Sequence, residues 1–420
     1  MTLAFPRRTA EELSVRLNTP TPEVLGVAAA IVRDVRERGM IALRHHAERL
    51  GDVTPGAPLV LPREALNAAL AAMKPNDRTR LERIAARIRA FARGQRSALG
   101  QFDMTIPGGR AGHVIAPVER AGCYAPGGRY PLPSSVLMTA ITAREAGVKE
   151  VWVASPRPAQ ITLAAAALAG ADGFLVAGGA QAIAALAYGA GAVPACDAVV
   201  GPGNAYVTAA KQMVAGRVAI DTLAGPSELV VLADGTADPA IVAADLLAQA
   251  EHDPDAVPIL VSVGEAIASA VSNELVRQLA TLPTAAIAQA ALLNGGVVVV
   301  PDIESGIAAC DLLAPEHLEL QVANAASLVQ RFQHYGALFI GSGAAEVFGD
   351  YGAGPNHVLP TGGAARSSGG LSVLTFLRVR TWLAIDDPAA AHELAEDAAW
   401  LGRIEGLEAH ARAAERRCQR

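Results

Sequence analysis

Residues 172–189, DGFLVAGGAQAIAALAYG, carry a short apolar run, a glycine pair and then a run of helix-forming residues. Residues 196–214, CDAVVGPGNAYVTAAKQMV, repeat this order around a Gly-Pro-Gly turn, and VKEVWVASP at 148–156 precedes a helical run at 160–168. Alternating strands and helices of this kind build a parallel sheet with right-handed crossovers. The sequence therefore predicts an α/β fold, and we expect residues 224–234, AGPSELVVLAD, to close this first sheet.

A second strand–helix series follows the first. Strands are predicted in AVPILVSV, GGVVVVPD and GALFIGS, with helices near 269–281 and 323–333. Charged segments of helical periodicity precede the first series from about residue 21, and helical sequence returns from Asp387-Pro388 to the end. The Gly/Pro-rich residues 121–133 are a candidate domain boundary. We therefore predict two incomplete Rossmann-like parallel-sheet domains with helical N- and C-terminal segments.

Composition narrows the class of protein. The 420 residues are 51% hydrophobic but only 4% aromatic, with 40 glycines, which is typical of an α/β protein rich in tight turns. The net charge is −6 without a basic cluster before the C-terminal tail, which argues against nucleic-acid binding. Four separated cysteines predict reduced thiols. No signal peptide or membrane span is predicted, so we expect a cytoplasmic protein without membrane partners.

One predicted helix carries a pair of metal-ligand side chains. Asp238-Pro239 is a good helix opening, and the helix is expected to end at Asp253-Pro254. Gln249 and His252 lie three residues apart in AADLLAQAEHDP, so both leave one face at the last turn. Their oxygen and nitrogen atoms suit zinc. Taken alone, the pair is more typical of a polar helix end in water, because glutamine is an uncommon ligand.

The glycine turns favour a phosphate-bearing ligand only weakly. Gly201-Pro202-Gly203 lacks the third glycine of the dinucleotide fingerprint, although Asp221 lies at a suitable distance for its acidic residue. Both this turn and Gly178-Gly179 would still present backbone N–H groups at a helix start. A purely conformational need for glycine explains these turns equally well.

Two further segments contain titratable side chains. In LAPEHLEL, Pro315 is a natural first residue of a short helix, which would place Glu316 and His317 in its first turn. The helix dipole there disfavours an imidazolium ion, so His317 would be a neutral general base and Glu316 a second base. In GDYGAGPNHVLPT, a glycine- and proline-rich loop displays Asp350 and His357.

Eight segments together resemble the histidinol dehydrogenase family. They occur in the family's order from near residue 20 to the C-terminus, and they read YAPGG (124–128), GGAQAIAALAYG, GPGNAYVTAAK, AGPSE, DLLAQAEH, APEHLE, DYGAGPNHVLPT and EGLEAHARA. The resemblance implies four-electron oxidation of L-histidinol to L-histidine through bound L-histidinaldehyde, at the end of histidine biosynthesis. It also implies two NAD+ consumed per histidine, and one zinc ion per subunit.

The resemblance implies a role for individual residues. The zinc ligands would be Gln249, His252, Asp350 and His410. The catalytic pair would be Glu316 and His317, with His317 taking the hydroxyl proton and Glu316 activating water. The substrate contacts would be Ser227, Gln249, His252, His317, Asp350, His357, Glu405 and His410. The NAD contacts would be Tyr124, Gln181 and Asn204. Asp245, one turn before Gln249, is a candidate for orienting the metal site, and a solvated aspartate explains it equally well.

The resemblance further implies an intertwined homodimer with shared active sites, in which the C-terminal segment reaches the partner's site. The implied division of the chain has four parts. They are an N-terminal helical segment at 1–20, a first α/β domain with the zinc and catalytic residues at 21–120 plus 237–382, a second α/β domain with the NAD loops at 121–236, and a C-terminal tail at 383–420.

Three other functions fit parts of the sequence. A related zinc and NAD dehydrogenase of another small polar alcohol, such as a sulfonated diol, would use the same apparatus. A zinc hydrolase would use Glu251 as its base, but the sequence lacks the H-E-x-x-H spacing. A non-catalytic nucleotide-binding protein would keep the glycine turns without needing Glu316 and His317.

Overall fold

Three β-sheets, with helices packed on them, form the part of the chain that the computed structural model describes, residues 5–14, 20–127 and 130–418. The predicted segment 1–20 and the YAPGG motif at 124–128 therefore lie partly outside the described residues. Two of the sheets are built mainly from parallel strands, which confirms the predicted mixed α/β class. The proposed domain boundaries stay a prediction.

The first sheet has six strands and contains the predicted strand–glycine–helix units. Its strands are β1 (Val60–Pro62), β4 (Arg120–Tyr124), β5 (Glu150–Ala154), β6 (Gly173–Leu175), β7 (Ala198–Val200) and β8 (Ala219–Ile220). Their order is β1-β6-β5-β4-β7-β8, and all neighbours are parallel except the edge pair β1 and β6. β4 overlaps the start of the Gly/Pro-rich residues 121–133, so these residues do not begin as a loop: their first four form part of a central buried strand.

Helices cover both faces of this sheet. In chain order the helices around it are α2 (Pro22–Arg38), α3 (Met40–Arg49), α4 (Arg63–Ala71), α5 (Pro75–Ser97), α6 (Pro133–Ala146), α7 (Gln160–Ala169), α8 (Gly179–Tyr188) and α9 (Ala205–Val214). One apolar cluster joins α5, α6 and α7 to the sheet, and a second joins α2, α3, α8 and α9 to its other face. Small side chains dominate α8, whose buried alanines let the helix approach the strands closely.

The second sheet has five strands, all parallel. They are β9 (Glu228–Ala233), β10 (Val257–Val263), β11 (Gly296–Val300), β12 (His317–Gln321) and β13 (Ala337–Ile340), in the order β11-β10-β9-β12-β13. The segment AGPSELVVLAD was expected to close the first sheet, and this was wrong, because β9 is the central strand of the second. All six residues of β9 are buried, as a strand covered on both faces requires.

The helices of the second sheet also form two layers. They are α1 (Ala10–Ser14), α10 (Pro239–Ala250), α11 (Glu265–Leu279), α12 (Ala285–Leu292), α13 (Ile303–Leu313), α14 (Ala325–Leu328) and α15 (Glu346–Asp350). Apolar side chains of α10, α11 and α12 pack on one face, and those of α1 and α13 on the other. Three 3-10 turns complete the irregular segments, at Val329–Arg331, Ala364–Arg366 and Val373–Phe376.

A third sheet and two helices form the remaining layer. The sheet pairs β3 (Gly109–Pro117) antiparallel with β2 (Phe102–Ile106) and β14 (Leu377–Ile385), and no sequence pattern predicted it. The tail is helical as expected, but α16 (His392–Ile404) begins after Asp387-Pro388, and α17 (Glu408–Cys418) follows. The cysteines described by their side chains, Cys123, Cys196 and Cys310, are free and buried, as predicted. Among the described helices, none has the length and apolar character needed to cross a bilayer.

Candidate active site

Glu316 and His317 lie at the amino end of β12, beside the amino end of β9. This corrects the expected helix: Pro315 precedes a buried strand, in which His317 pairs with Leu229. The Ser227 hydroxyl donates to Glu316 Oε2 at 2.6 Å, and the Glu228 backbone N–H donates to the same oxygen at 3.0 Å. The structure thus places Ser227, a predicted substrate contact, within hydrogen-bond distance of Glu316, the predicted second base.

The neutral form of His317 is favoured by burial and not by a helix dipole. Its side chain is only 3% exposed, and this burial lowers the pKa of the imidazole to about 4. At neutral pH, Nδ1–H donates to the Glu228 carbonyl at 3.1 Å. That bond leaves Nε2 with its lone pair, 3.8 Å from Asp350 Oδ1. His317 is therefore arranged as a proton acceptor.

Burial also sets the proton affinity of Glu316. It raises the pKa of the carboxyl well above its ordinary value, although the hydrogen bonds from Ser227 and Glu228 act in the opposite direction. The negative charges of Glu228 and Asp350 add to the upward shift. The pKa of His317 is thus lowered and that of the adjacent Glu316 is raised. Two neighbouring residues with oppositely displaced pKa values are typical of a catalytic pair.

His252 and Asp350 come together in front of this pair. His252 lies in the turn just after α10, two residues beyond the helix end, and its Nε2 is 3.8 Å from Asp350 Oδ2. Glu346, the first residue of α15, joins them, with Oε1 4.0 Å from His252 Nε2. Ligand atoms of these three residues lie within 4.8 Å of one another, so they could hold one metal ion.

Gln249 is the fourth group on this side of the site. It lies in the last turn of α10, which packs against α15, and it is fully buried. Neither its Nε2 nor its Oε1 has a hydrogen-bond partner within the part of the chain that the structure describes. A buried amide is rarely left unpaired, so Gln249 is arranged for a partner other than this chain's own side chains.

The charge balance and the donor atoms both fit a zinc ion. Among the described residues, no lysine or arginine forms an ion pair with Glu316, Glu346 or Asp350; their charged-pair partners are histidines. Imidazole nitrogen and carboxylate oxygen are zinc ligands. Buried carboxylates without cations are costly, and a divalent ion would remove that cost.

A second pair of acidic residues, Asp245 and Glu319, lies next to the metal-capable group. Asp245 and Glu319 interact with each other: burial raises the pKa of Glu319 to about 8, helped by the charge of Asp245, and burial raises that of Asp245 to about 6. Glu319 Oε1 accepts the Glu346 backbone N–H at 2.7 Å. Asp245 is thus not a solvated helix aspartate, because it meets a buried carboxyl that positions α15.

The structure places the other predicted substrate contacts in two different regions. His357 donates through Nδ1 to the Asp350 carbonyl at 3.0 Å, and its Nε2 lies 3.4 Å from the Ser135 hydroxyl, so it borders the site. Glu405 and His410 are exposed on the C-terminal helices. The metal-capable group found among the described residues does not include His410. One copy of the chain therefore does not assemble the complete predicted set.

The predicted NAD contacts lie at the carboxyl ends of the first sheet's strands. After β4 the chain moves to β5 and β6 on one side and then to β7 on the other, which creates a crevice beyond β4 and β7 where open α/β sheets bind ligands. Tyr124 ends β4, and its buried hydroxyl accepts the Gly179 N–H at 3.2 Å. Asn204 caps α9 and is exposed beside the crevice.

Gln181 stabilises the Gly178-Gly179 turn through a shared hydrogen-bond partner, Asp52. It is 1% exposed, and its Nε2 donates to Asp52 Oδ2 at 2.7 Å. The same carboxylate oxygen accepts the Gly178 N–H at 2.8 Å. Asp52, which the sequence patterns did not single out, therefore fixes the turn at the start of α8.

Asp221 does not face a ligand, which corrects the suggestion that it is the acid of a dinucleotide fingerprint. Its buried side chain pairs with Lys211 and accepts the Gly201 N–H at 2.7 Å. Lys211 Nζ donates to the Gly201 carbonyl at 3.0 Å. Gly201 itself has φ of 124°, and a Cβ there would lie 1.9 Å from the Tyr124 carbonyl oxygen. The ion pair and the glycine together hold the Gly-Pro-Gly turn against β4.

Comparison with known proteins identifies the family. The sequence matches the family model described as Histidinol dehydrogenase over residues 15–418. The chain belongs to the histidinol dehydrogenase family. Membership in this family makes it an oxidoreductase.

The relatives match nearly the whole chain. A histidinol dehydrogenase of Thermus thermophilus is 47% identical over 393 residues, which cover 93% of this chain and 94% of the relative. One from Pseudomonas syringae pv. syringae is 44% identical, covering 92% and 88%. The crystal structure of histidinol dehydrogenase from Elizabethkingia anophelis superposes with a TM-score of 0.91 at 32% identity, covering 98% of this chain and 95% of that one.

Within this histidinol dehydrogenase fold, the buried Lys211–Asp221 pair gives a stability prediction. Replacing Lys211 with methionine is expected to lower the free energy of unfolding by about 3 kcal/mol, because Asp221 is left buried without its cation. Urea unfolding followed by circular dichroism measures the change. The K211M/D221N double variant, which removes the unpaired charge and keeps an acceptor for the Gly201 N–H, is expected to recover part of the loss.

A matched control removes an exposed pair. Arg277→Met breaks the contact with Glu274 on α11, where the arginine side chain is 67% exposed, and is expected to change stability by less than about 0.5 kcal/mol. A loss of similar size in K211M and R277M would contradict the role assigned to the buried pair.

The sequence patterns did not indicate several residues of the candidate site, notably Glu346, Glu319 and Glu228. Glu346 and Asp350 have the i, i+4 spacing of one helix face, and this was the available signal. Glu319 stands between two leucines in a strand, and an acid between apolar neighbours indicates a buried partner. Glu228 accepts hydrogen bonds from the N–H groups of Glu316 and Gly362 at 3.2 and 2.9 Å. No local sequence pattern indicates these contacts.

Proposed function

We propose that this chain oxidises L-histidinol to L-histidine with NAD+, through bound L-histidinaldehyde, as the last steps of histidine biosynthesis. The observation that carries the proposal is the buried Glu316–His317 pair facing the group formed by His252 and Asp350, in a chain of this family. A proton acceptor beside a metal-capable group is what oxidation of an alcohol held by its polar atoms requires.

The metal ligands proposed for zinc are Gln249, His252 and Asp350 of one chain and His410 of a second copy. The unpaired amide of Gln249 and the absence of lysine or arginine pairs, within the described residues, support this assignment. When bound, zinc would hold the imidazole and amino nitrogens of histidinol and so fix the alcohol carbon in place. His357, anchored on the Asp350 carbonyl, and Ser227 would line the substrate cavity.

Proton transfers in both oxidation steps follow from the geometry of the pair. In the first oxidation, His317 Nε2 would accept the hydroxyl proton of histidinol as the adjacent carbon loses hydride, giving the aldehyde. In the second, Glu316 in its carboxylate form would accept a proton from water as the oxygen bonds to the aldehyde carbon. The resulting hydrate anion would then lose hydride to NAD+ and its remaining hydroxyl proton to His317, which has released its first proton to solvent, and would become the carboxylate of histidine.

NAD+ would accept the hydride in each step. Its proposed site is the crevice beyond β4 and β7, with the N–H groups at the starts of α8 and α9 available to its phosphates. Asn204 is exposed there, whereas Tyr124 and Gln181 would act mainly by shaping the glycine turns.

The decisive assay combines stoichiometry with substrate choice. The purified enzyme is expected to form two NADH, read at 340 nm, and one histidine for each L-histidinol, and to lose activity after dialysis against a chelator. A panel of other small polar alcohols, including a sulfonated diol, is expected to react far more slowly. Faster oxidation of another alcohol, or one NADH per turnover, would contradict the proposed function.

We also propose that the enzyme is a homodimer with shared active sites. Apolar side chains are exposed on the third sheet and the C-terminal helices, where Leu383, Trp400 and Ile404 are 64%, 65% and 68% exposed. Glu405 lies in the turn between α16 and α17, His410 lies on α17, and neither contributes to the metal-capable group of its own chain. A second copy packed there would bury this surface and supply both residues.

Mixed dimers test this sharing directly. H410A and H317N are each expected to be inactive, but a dimer containing one of each would have one site with both residues intact. Because one of its two sites is intact, the purified mixed dimer is expected to have about half of the wild-type activity per site. The measurement is histidine formation after co-expression and tandem-tag purification. A mixture no more active than its parents would exclude exchange of His410 between subunits.

A further inference from the structure

Glu346 carries a buried carboxyl group whose oxygens accept no hydrogen bond from the described part of the chain. It is 1% exposed, and neither Oε1 nor Oε2 has a hydrogen-bond partner within the described residues. Its backbone N–H is nevertheless held by Glu319 at 2.7 Å, so the start of α15 is fixed. The side chain is thus positioned while both of its oxygens remain free for a ligand.

The surroundings of Glu346 favour a bound cation. Four other carboxyl groups act on it electrostatically, those of Asp245, Glu316, Glu319 and Asp350. Across the described ranges, no lysine or arginine pairs with Glu346, and its nearest basic atom is His252 Nε2 at 4.0 Å. A buried carboxylate in this setting is costly unless it is paired or coordinates a metal.

The distances indicate one ion shared with two other side chains. His252 Nε2 is 4.0 Å from Glu346 Oε1 and 3.8 Å from Asp350 Oδ2, and the ligand atoms of the three residues lie within 4.8 Å of one another. Two atoms bound to one zinc at about 2 Å each stand roughly 3–4 Å apart, so only a small closure is needed.

We propose that Glu346 is a further direct ligand of the divalent cation in the substrate-free enzyme, so that Gln249, His252, Glu346 and Asp350 of one chain hold the ion. This inference rests on the metal site of the proposed function and extends it, because each chain would then retain the ion without His410 from a second copy.

Metal affinity tests this without relying on turnover. Glu346→Gln keeps the size of the side chain and removes its charge. It is expected to raise the zinc Kd, measured in competition with a chromophoric chelator, by more than the roughly 10- to 100-fold typical of a residue that only supports a metal ligand. The visible absorption bands of the cobalt-substituted protein are expected to shift, because a carboxylate ligand is lost. Added zinc is expected to raise the Tm of E346Q less than that of the wild type.

Two further variants keep the result interpretable. Glu346→Asp retains a carboxylate and is expected to recover part of the lost affinity. Glu251→Gln removes a charge from the adjacent turn, where Glu251 is exposed and accepts the Thr284 hydroxyl at 2.6 Å, and is expected to leave the zinc Kd unchanged. A circular-dichroism spectrum like that of the wild type confirms that E346Q is folded.

Two outcomes would overturn the inference in distinguishable ways. Unchanged zinc affinity and cobalt spectrum in E346Q, even with a raised KM for histidinol, would mean that Glu346 meets the substrate and not the metal. A wild-type protein that binds no zinc would overturn the metal site of the proposed function, and the role of Glu346 with it.

Discussion

Replacing His317 with asparagine is expected to lower kcat for histidinol oxidation by about 10²- to 10⁴-fold, the range that a lost general base produces. Asparagine can still donate to the Glu228 carbonyl, the contact that His317 Nδ1 makes at 3.1 Å. It has no counterpart of Nε2, the nitrogen that faces Asp350. The variant therefore removes the proton acceptor while retaining the side-chain anchor. Steady-state NADH formation with saturating histidinol and NAD+ measures the loss.

The other readouts separate chemistry from folding. Zinc content is expected to stay near that of the wild type, because His317 is not among the proposed metal ligands. The Kd for histidinol is expected to change far less than kcat, because the proposed zinc site and not His317 would hold the substrate's nitrogen atoms. His334→Asn, a substitution outside the site, serves as the matched control and is expected to keep full activity. A kcat within tenfold of wild type in H317N would remove His317 from the role of base.

The strand–glycine–helix units were predictable because their signals are local. An apolar run of a few residues followed by glycine and then helix-forming residues fixes β6 with α8 and β7 with α9, independently of the rest of the chain. The third sheet gave no such signal. Its strands β3 and β14 pair Gly109 with Ile385, so the pairing depends on contacts between residues far apart in sequence.

Local sequence patterns predicted the wrong secondary structure where burial between neighbouring strands determines it. Proline before Glu316 and His317 suggested a helix start, whereas the segment runs between β9 and β13 and is held there by both neighbours. The conclusion that His317 is neutral survives, but its physical cause is desolvation and not a dipole. Catalytic residues in buried strands break the usual sequence patterns, since polar groups occupy positions that packing alone would fill with apolar ones.

Substituting Glu316 with glutamine is expected to slow the second oxidation step, from aldehyde to histidine, without slowing the step between histidinol and aldehyde. Glutamine can keep the hydrogen bonds from the Ser227 hydroxyl and the Glu228 N–H, which reach Glu316 Oε2 at 2.6 and 3.0 Å. It cannot accept a proton from water. Oxidation of supplied L-histidinaldehyde to histidine should fall by about 10²- to 10⁴-fold. Reduction of the same aldehyde to histidinol by NADH needs no water activation and should stay near the wild-type rate.

The pH dependence of the second step provides an independent check on Glu316. Burial raises the pKa of its carboxyl well above the ordinary value, so the reactive carboxylate form is scarce at low pH and increases as pH rises through that raised pKa. Aldehyde oxidation by the wild type should therefore rise toward alkaline pH, and this rise should be absent in E316Q. His317 is neutral well below this range, since burial lowers its pKa to about 4, and does not produce the rise. Equal losses of aldehyde oxidation and aldehyde reduction in E316Q would instead assign Glu316 to a step common to both directions.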